Sequence, residues 1–233
     1  MRPGSSILLV AGLLLIVGGV RAEGPANPPS AAAALPADVY PDSRNRLPLP
    51  AREDMDDYGK KTIDGLSAGH SLPATVHSTR LYSPVARSLE DADHYVNFET
   101  ALPAPIVEIA ILVTAREMDC QFEWTQNEPH GRDPANPHHI DPAIIEAIKF
   151  GRPTTGLGEQ EQAVIAFGRE MIGQKKVSPP TFAKVLRLFG RKETVELIEL
   201  MANYSAAALE LAAFDQQLKV GQSPLLPPRH KPE

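Results

Sequence analysis

Apolar positions along the chain fall into two unlike halves. Up to about residue 102 they occur in short runs cut by Pro41, Pro48, Pro50, Pro73 and Pro84, leaving room only for brief helices such as 52–62 and 85–97. From Pro103 onward they recur at helical spacing. Residues 105–115 are apolar nearly all round apart from Glu108 and Thr114, the pattern of a fully buried helix. Asp141 followed by Pro142 opens a helix that Gly151 closes. Ser178 and Pro179 open another that stops at Gly190. Between them 159–172 is amphipathic and runs into Gly173, and 193–218 is the longest helical stretch, with small residues at 206–208 and 212–213. No strand alternation or internal repeat is evident, so the class is all-α: a helical core over 103–220 behind an irregular N-terminal wrap over 38–102.

The ends have their own composition. Residues 1–22 read as a signal peptide, with Arg2 before an apolar run over 7–20 and Val20-Arg21-Ala22 as the cleavage site. Residues 23–37 are rich in Pro and Ala and read as a disordered linker, and 221–233 as a disordered tail. Cleavage would remove Arg2 and Arg21 and take the formal charge from 23 − 29 = −6 to 21 − 29 = −8. An acidic exported protein is poorly suited to nucleic acid or to an anionic membrane, and secretion or periplasmic residence is the expectation. A single cysteine, Cys120, leaves no disulfide within the chain.

The candidate chemistry is concentrated in 108–129. The one cysteine, the one tryptophan and several carboxylates lie there in an otherwise oily helical run. On a helix Cys120, Glu123, Trp124 and Asn127 share one face, opposite Phe122. Glu108 and Cys120 would lie about 18 Å apart on one continuous helix, so they cooperate only if the chain breaks between them. Asp119 could cap a new helix with Cys120 in its first turn. A thiol there would gain from the helix N-terminus, although Glu117, Asp119 and Glu123 oppose a thiolate. His130, His138 and His139 show no recognised ligand spacing, so no metal and no cofactor are expected, and a solvated loop at a pocket mouth suits them better.

These residues resemble the carboxymuconolactone decarboxylase family, within the alkylhydroperoxidase D-like superfamily. The resemblance rests on the helix from Glu108 to Arg116, the Cys120-Gln-Phe-Glu-Trp124 segment with Glu128-Pro129 behind it, 145–151, and the stretch from Met201-Ala-Asn-Tyr204 through Phe214-Asp215. It implies a helical fold assembled into trimers or larger rings, with sites near subunit boundaries. Two departures matter. The peroxidase branch has a Cys-x-x-Cys pair and a histidine four residues on; here Cys120 matches the first cysteine, Glu123 replaces the second, Asn127 stands at the histidine, and Glu108 matches an upstream glutamate. A self-closing disulfide cycle is thus impossible within one chain, and the usual proton carrier is missing.

Decarboxylation of a carboxylated lactone without a cofactor needs an oriented carboxylate, stabilised enolate charge and a returned proton. Glu108 and Glu123 are the candidate proton carriers, and Asn127 and the Trp124 indole the candidate donors to developing charge. Trp124, Glu128 and Tyr204 are the expected substrate contacts. Two other readings stand beside this one: a single-thiol peroxidase using Cys120 with an external reductant, and a non-catalytic small-molecule binder or assembly component.

Overall fold

A computed structural model describes residues 35–64 and 75–229; the expected signal peptide and nearly all of the linker lie outside them. Every regular element among the described residues is helical. After a 3₁₀ turn at Arg52–Asp54 come α1 (Asp57–Asp64), α2 (Val76–Arg80) and α3 (Val85–His94), the last running into a π-helical turn at Tyr95–Glu99. The core follows as α4 (Ala104–Glu117), α5 (Gln121–Arg132), α6 (Pro142–Lys149), α7 (Glu159–Gly168) with a π turn at Arg169–Gly173, and α8 (Pro179–Ala213). None of these helices is long and apolar enough to cross a membrane.

The all-round apolar pattern of α4 has the expected consequence. Ile106 to Arg116 is buried without a break, and α5, α6, α7 and α8 all pack on this one helix. Ile109, Leu112, Ile145, Phe167, Leu197, Leu200 and Met201 meet around it. Gly168 allows α7 to close on α4, since a Cβ there would come 2.6 Å from Val113 Cγ1.

Local signals set the helix ends. The Asp141 carboxylate accepts from Ala143 N at 2.7 Å and Pro142 fills the first turn of α6, while Gly151 leaves it at φ 63°. The Ser178 hydroxyl caps α8 through Thr181 N. Gly190, at φ 75° and ψ −177°, breaks α8 into two helical segments, so the expected stop is present while the helix resumes at once. The second segment ends at Ala213 rather than 218, because Asp215 is left-handed at φ 50°.

Two expectations need correction. Asp119 does not cap α5: it sits at φ 51°, and its carboxylate accepts from Arg116 and Arg229, both at 2.9 Å. The N-cap is Cys120 itself. The tail is not loose up to Arg229 either. Leu226 enters the core cluster, Arg116 Nη1 donates to Pro227 O at 2.7 Å, and Leu225 N to Thr125 at 3.3 Å. A buried Leu and a satisfied Arg hold a segment whose Pro content alone reads as disorder. The wrap, for its part, is tied to α8 by Glu196, which accepts from Tyr95 and Thr100, each at 2.8 Å.

Candidate active site

The left-handed break at Asp119 turns α5 back along α4, and this brings their polar residues together. A cavity with two lobes results. The first, about 300 Å³, is lined by Asp93, Asn97, Phe98, Glu108, Ile111, Asn127, His130, Asn136, His138 and Tyr204. The second, about 270 Å³, is lined by Thr75, Val76, His77, Phe122, Glu123, Gln126 and Lys219 together with Asn127, His130 and Tyr204, which both lobes share. These shared side chains form the waist.

Glu108 projects from the middle of α4 into the first lobe. It is 1% exposed, its Oε1 has no hydrogen-bond partner, and burial lifts its pKa to about 8. His138 Nδ1 stands 3.5 Å from Glu108 Oε2 and is likewise unpartnered. Burial, with His130 nearby, lowers the His138 pKa. Near neutral pH the two groups therefore face each other as a protonated carboxyl and an uncharged imidazole.

The loop carrying His138 is placed by short-range bonds. Asn136 Oδ1 accepts from His138 N at 2.9 Å, and Ile140 N donates to Gly131 O at 3.0 Å while its side chain enters the core. Gly131 permits the approach: a Cβ there would lie 3.3 Å from Ile140 Cγ1 and 3.4 Å from Glu108 Cγ. Sequence places His138 in a solvated loop at the pocket mouth; the structure brings its ring inward onto Glu108. Motif position pointed to Asn127, whereas the loop delivers a histidine from eleven residues further along (138 − 127 = 11).

Glu123 lines the second lobe, its pKa raised to about 7 by burial above all and by Asp93, against His77, Asn127 and Arg80. Asn127 Nδ2 donates to Glu123 O at 2.8 Å and to Glu123 Oε2 at 3.3 Å. The amide expected to donate to substrate is thus committed to positioning Glu123. Tyr204 donates its hydroxyl to Asn97 Oδ1 at 3.0 Å, with burial and the neighbouring carboxylates Glu123, Asp93 and Glu108 pushing its own pKa well up.

The remaining expected site residues lie elsewhere. Trp124 is fully buried and donates its indole N–H to Glu128 Oε2 at 2.6 Å; Glu128 also accepts from Arg132 at 2.8 Å and Lys149 at 2.9 Å. Neither residue lines the cavity, so both are corrected from substrate contacts to a buried structural pair. The shared helical face was real but too wide: 100° per residue places Glu123, Asn127 and His130 on one side of it, Trp124 and Glu128 on the other. Cys120 also lies off both lobes, packed with Val76, Phe122, Ala208 and Leu211. Burial pushes its thiol pKa up to about 11.

Comparison with known proteins identifies the fold. The chain has the alkylhydroperoxidase D-like helical fold. An Agrobacterium tumefaciens protein of unknown function, named for antioxidant defence as AhpD, superposes with a TM-score of 0.52 at 15% identity, over 61% of this chain and 96% of that one. An alkylhydroperoxidase AhpD core protein from Ralstonia eutropha JMP134, uncharacterized and peroxidase-related by name, gives 0.55 at 12% identity over 78% and 98%. The debrominase Bmp8 gives 0.50 at 14% identity over 58% and 72%. No protein-family model and no curated protein matches the chain.

Proposed function

We propose that the protein is an exported proton-transfer enzyme of the decarboxylase or lyase type, acting on a small carboxylated or lactone substrate with Glu108 as its acid. The observation that carries this reading is Glu108 itself. A carboxyl buried to 1% exposure, with an oxygen lacking any partner and a pKa near 8, is costly unless something in the cavity uses it. In the step envisaged, the bond from carbon to carbon dioxide breaks and its electron pair enters an enolate. The Glu108 proton then moves to the carbanionic carbon, and His138 relays a replacement from solvent by way of His130 at the waist. Glu123, poised near 7, offers a second proton station in the other lobe.

A single-thiol peroxidase is supported less well, despite the peroxidase-related names among the structural neighbours. The thiol lies away from the cavity, is essentially unionised at neutral pH, and has no second cysteine to resolve an oxidised form.

Turnover of a panel of carboxylated lactones by wild type, Glu108→Gln and His138→Gln tests the proposal. Loss of about 10²-fold or more in kcat/KM in Glu108→Gln, with the helical fold intact, is the expected result. Full activity in that variant, or no turnover of any panel member by wild type, overturns it.

A further inference from the structure

We infer that His77, Glu90 and Asp93 form a divalent-cation site in the cavity wall. The ligand atoms these three offer lie within 4.8 Å of one another. His77 comes from α2, while Glu90 and Asp93 are three residues apart on α3 and so share a face. His77 Nδ1 stands 2.8 Å from Glu90 Oε1 and 3.0 Å from Oε2.

A second, independent feature is the way Asp93 is held. Asn203 Nδ2 donates to its Oδ1 at 2.7 Å and Asn97 Nδ2 donates to the same oxygen at 3.2 Å. Oδ2 has no donor among the described residues. Two amides fixing one oxygen and sparing the other is the arrangement that orients a carboxylate ligand.

The rival explanation is a plain ion-pair cluster around Arg80. Its Nη1 reaches Glu90 Oε1 at 3.3 Å, but its Nε makes the shorter bond, 2.7 Å, to Glu210 Oε2. With Glu210 as its principal partner, Arg80 reaches one oxygen of Glu90, and the proton that His77 Nδ1 shares with both Glu90 oxygens, at 2.8 and 3.0 Å, is what an ion would displace. Charge is compatible with the ion: the carboxylates of Glu90, Asp93 and Glu210 against one guanidinium leave two negative charges once the ion has displaced the proton that Glu90 favours on His77. One imidazole and two carboxylates suit Mn²⁺ or Zn²⁺ and leave coordination positions open. His77 lines one lobe and Asp93 the other, so a bound ion would add fixed positive charge to a cavity rich in carboxyl groups.

The site is tested on chelator-treated protein without a histidine tag, titrated with Mn²⁺ while the free ion is followed by its paramagnetic resonance. One ion per chain, displaced by Zn²⁺, is expected. Asp93→Asn and His77→Ala should each weaken Mn²⁺ binding by about 10-fold or more, and Asn203→Ala, which removes only the orienting amide, by about 10-fold, with circular dichroism unchanged. Absence of stoichiometric binding, or binding undiminished in Asp93→Asn and Asn203→Ala, overturns the inference. Because no substrate is present, the result is separate from the fate of the Glu108 proposal.

Discussion

Glu108 Oε2 and His138 Nδ1 meet at 3.5 Å across the gap between α4 and the loop after α5, and neither the other carboxyl oxygen nor the ring nitrogen finds another partner. A protonated carboxyl is tolerated there; a carboxylate is not. Besides His138, the ionisable groups lining this lobe are Asp93, His130 and Tyr204, and no lysine or arginine is among its lining residues to favour ionisation.

Stability should therefore fall with rising pH in a range set by Glu108. Its carboxyl titrates near 4.5 in the unfolded chain and near 8 when folded, so between those values the native state holds the extra proton. The contribution is complete below pH 4.5 and lost as pH rises through 8. At about 1.4 kcal/mol for each pH unit, its ceiling is about 5 kcal/mol. Denaturant unfolding across pH 5–9 should show this slope in wild type, and Glu108→Gln should lose it between pH 7 and 8 while keeping, below pH 7, the share that the raised pKa of Glu123 adds. Equal slopes would mean that the carboxyl ionises without penalty and would remove the basis for its role as an acid.

Cys120 should behave as an inert buried thiol. With 8% exposure and a pKa near 11, it should react with a disulfide reagent at pH 7.5 at least about 10²-fold more slowly in the native protein than after unfolding. Cys120→Ser should leave any lactone turnover within about two-fold of wild type. Fast native labelling, or thiol-dependent peroxide turnover lost in Cys120→Ser, would restore the peroxidase reading.

Much of the fold was legible because its signals are local. Asp141-Pro142, Ser178-Pro179 and Gly151 act within a turn of their own positions, and the unbroken apolar run of α4 can only be buried. Glu108 and Glu123 were legible as well, as carboxylates in oily surroundings. What escaped is what depends on contacts between distant segments. Arg229 takes Asp119 away from the cap, Leu226 anchors the tail, and Gly131 lets the loop bring His138 onto Glu108. Trp124 and Asn127 look alike as helical-face residues, and only the packing of α6, which supplies Lys149 to Glu128, draws the first into the core.

Assembly should depend on the groove between the π turn and α8. Tyr95, Val96 and Val195 line it, Val195 is 56% exposed, and Arg191, Lys192 and Glu199 around it carry both signs of charge. An apolar strip with mixed charges at its edge suits another copy of the chain, in keeping with the rings that the sequence resemblance implies. Sedimentation velocity at micromolar concentration should give a trimer or larger species, and Val195→Glu should weaken association by about 10-fold or more. A wild-type monomer would end this expectation.

Glu128 offers the sharpest test of the buried pair behind the cavity. It is 2% exposed and accepts from Trp124, Arg132 and Lys149 together. Burial alone would raise its pKa, but hydrogen bonds from Lys149, Trp124 and Arg132 hold it below the ordinary range. Glu128→Gln preserves shape and the indole bond while stranding Lys149, whose side chain is 14% exposed, so it should cost about 3 kcal/mol at pH 7. Because the folded pKa is depressed, this stabilisation is present above the unfolded value and disappears as pH falls through the folded one. Wild type and variant should accordingly converge in acid. Trp124, the single tryptophan, reports both unfolding curves by its fluorescence. A loss below about 0.5 kcal/mol at pH 7, or a gap that persists undiminished at pH 3, would show that the Glu128 charge is not what holds this part of the core.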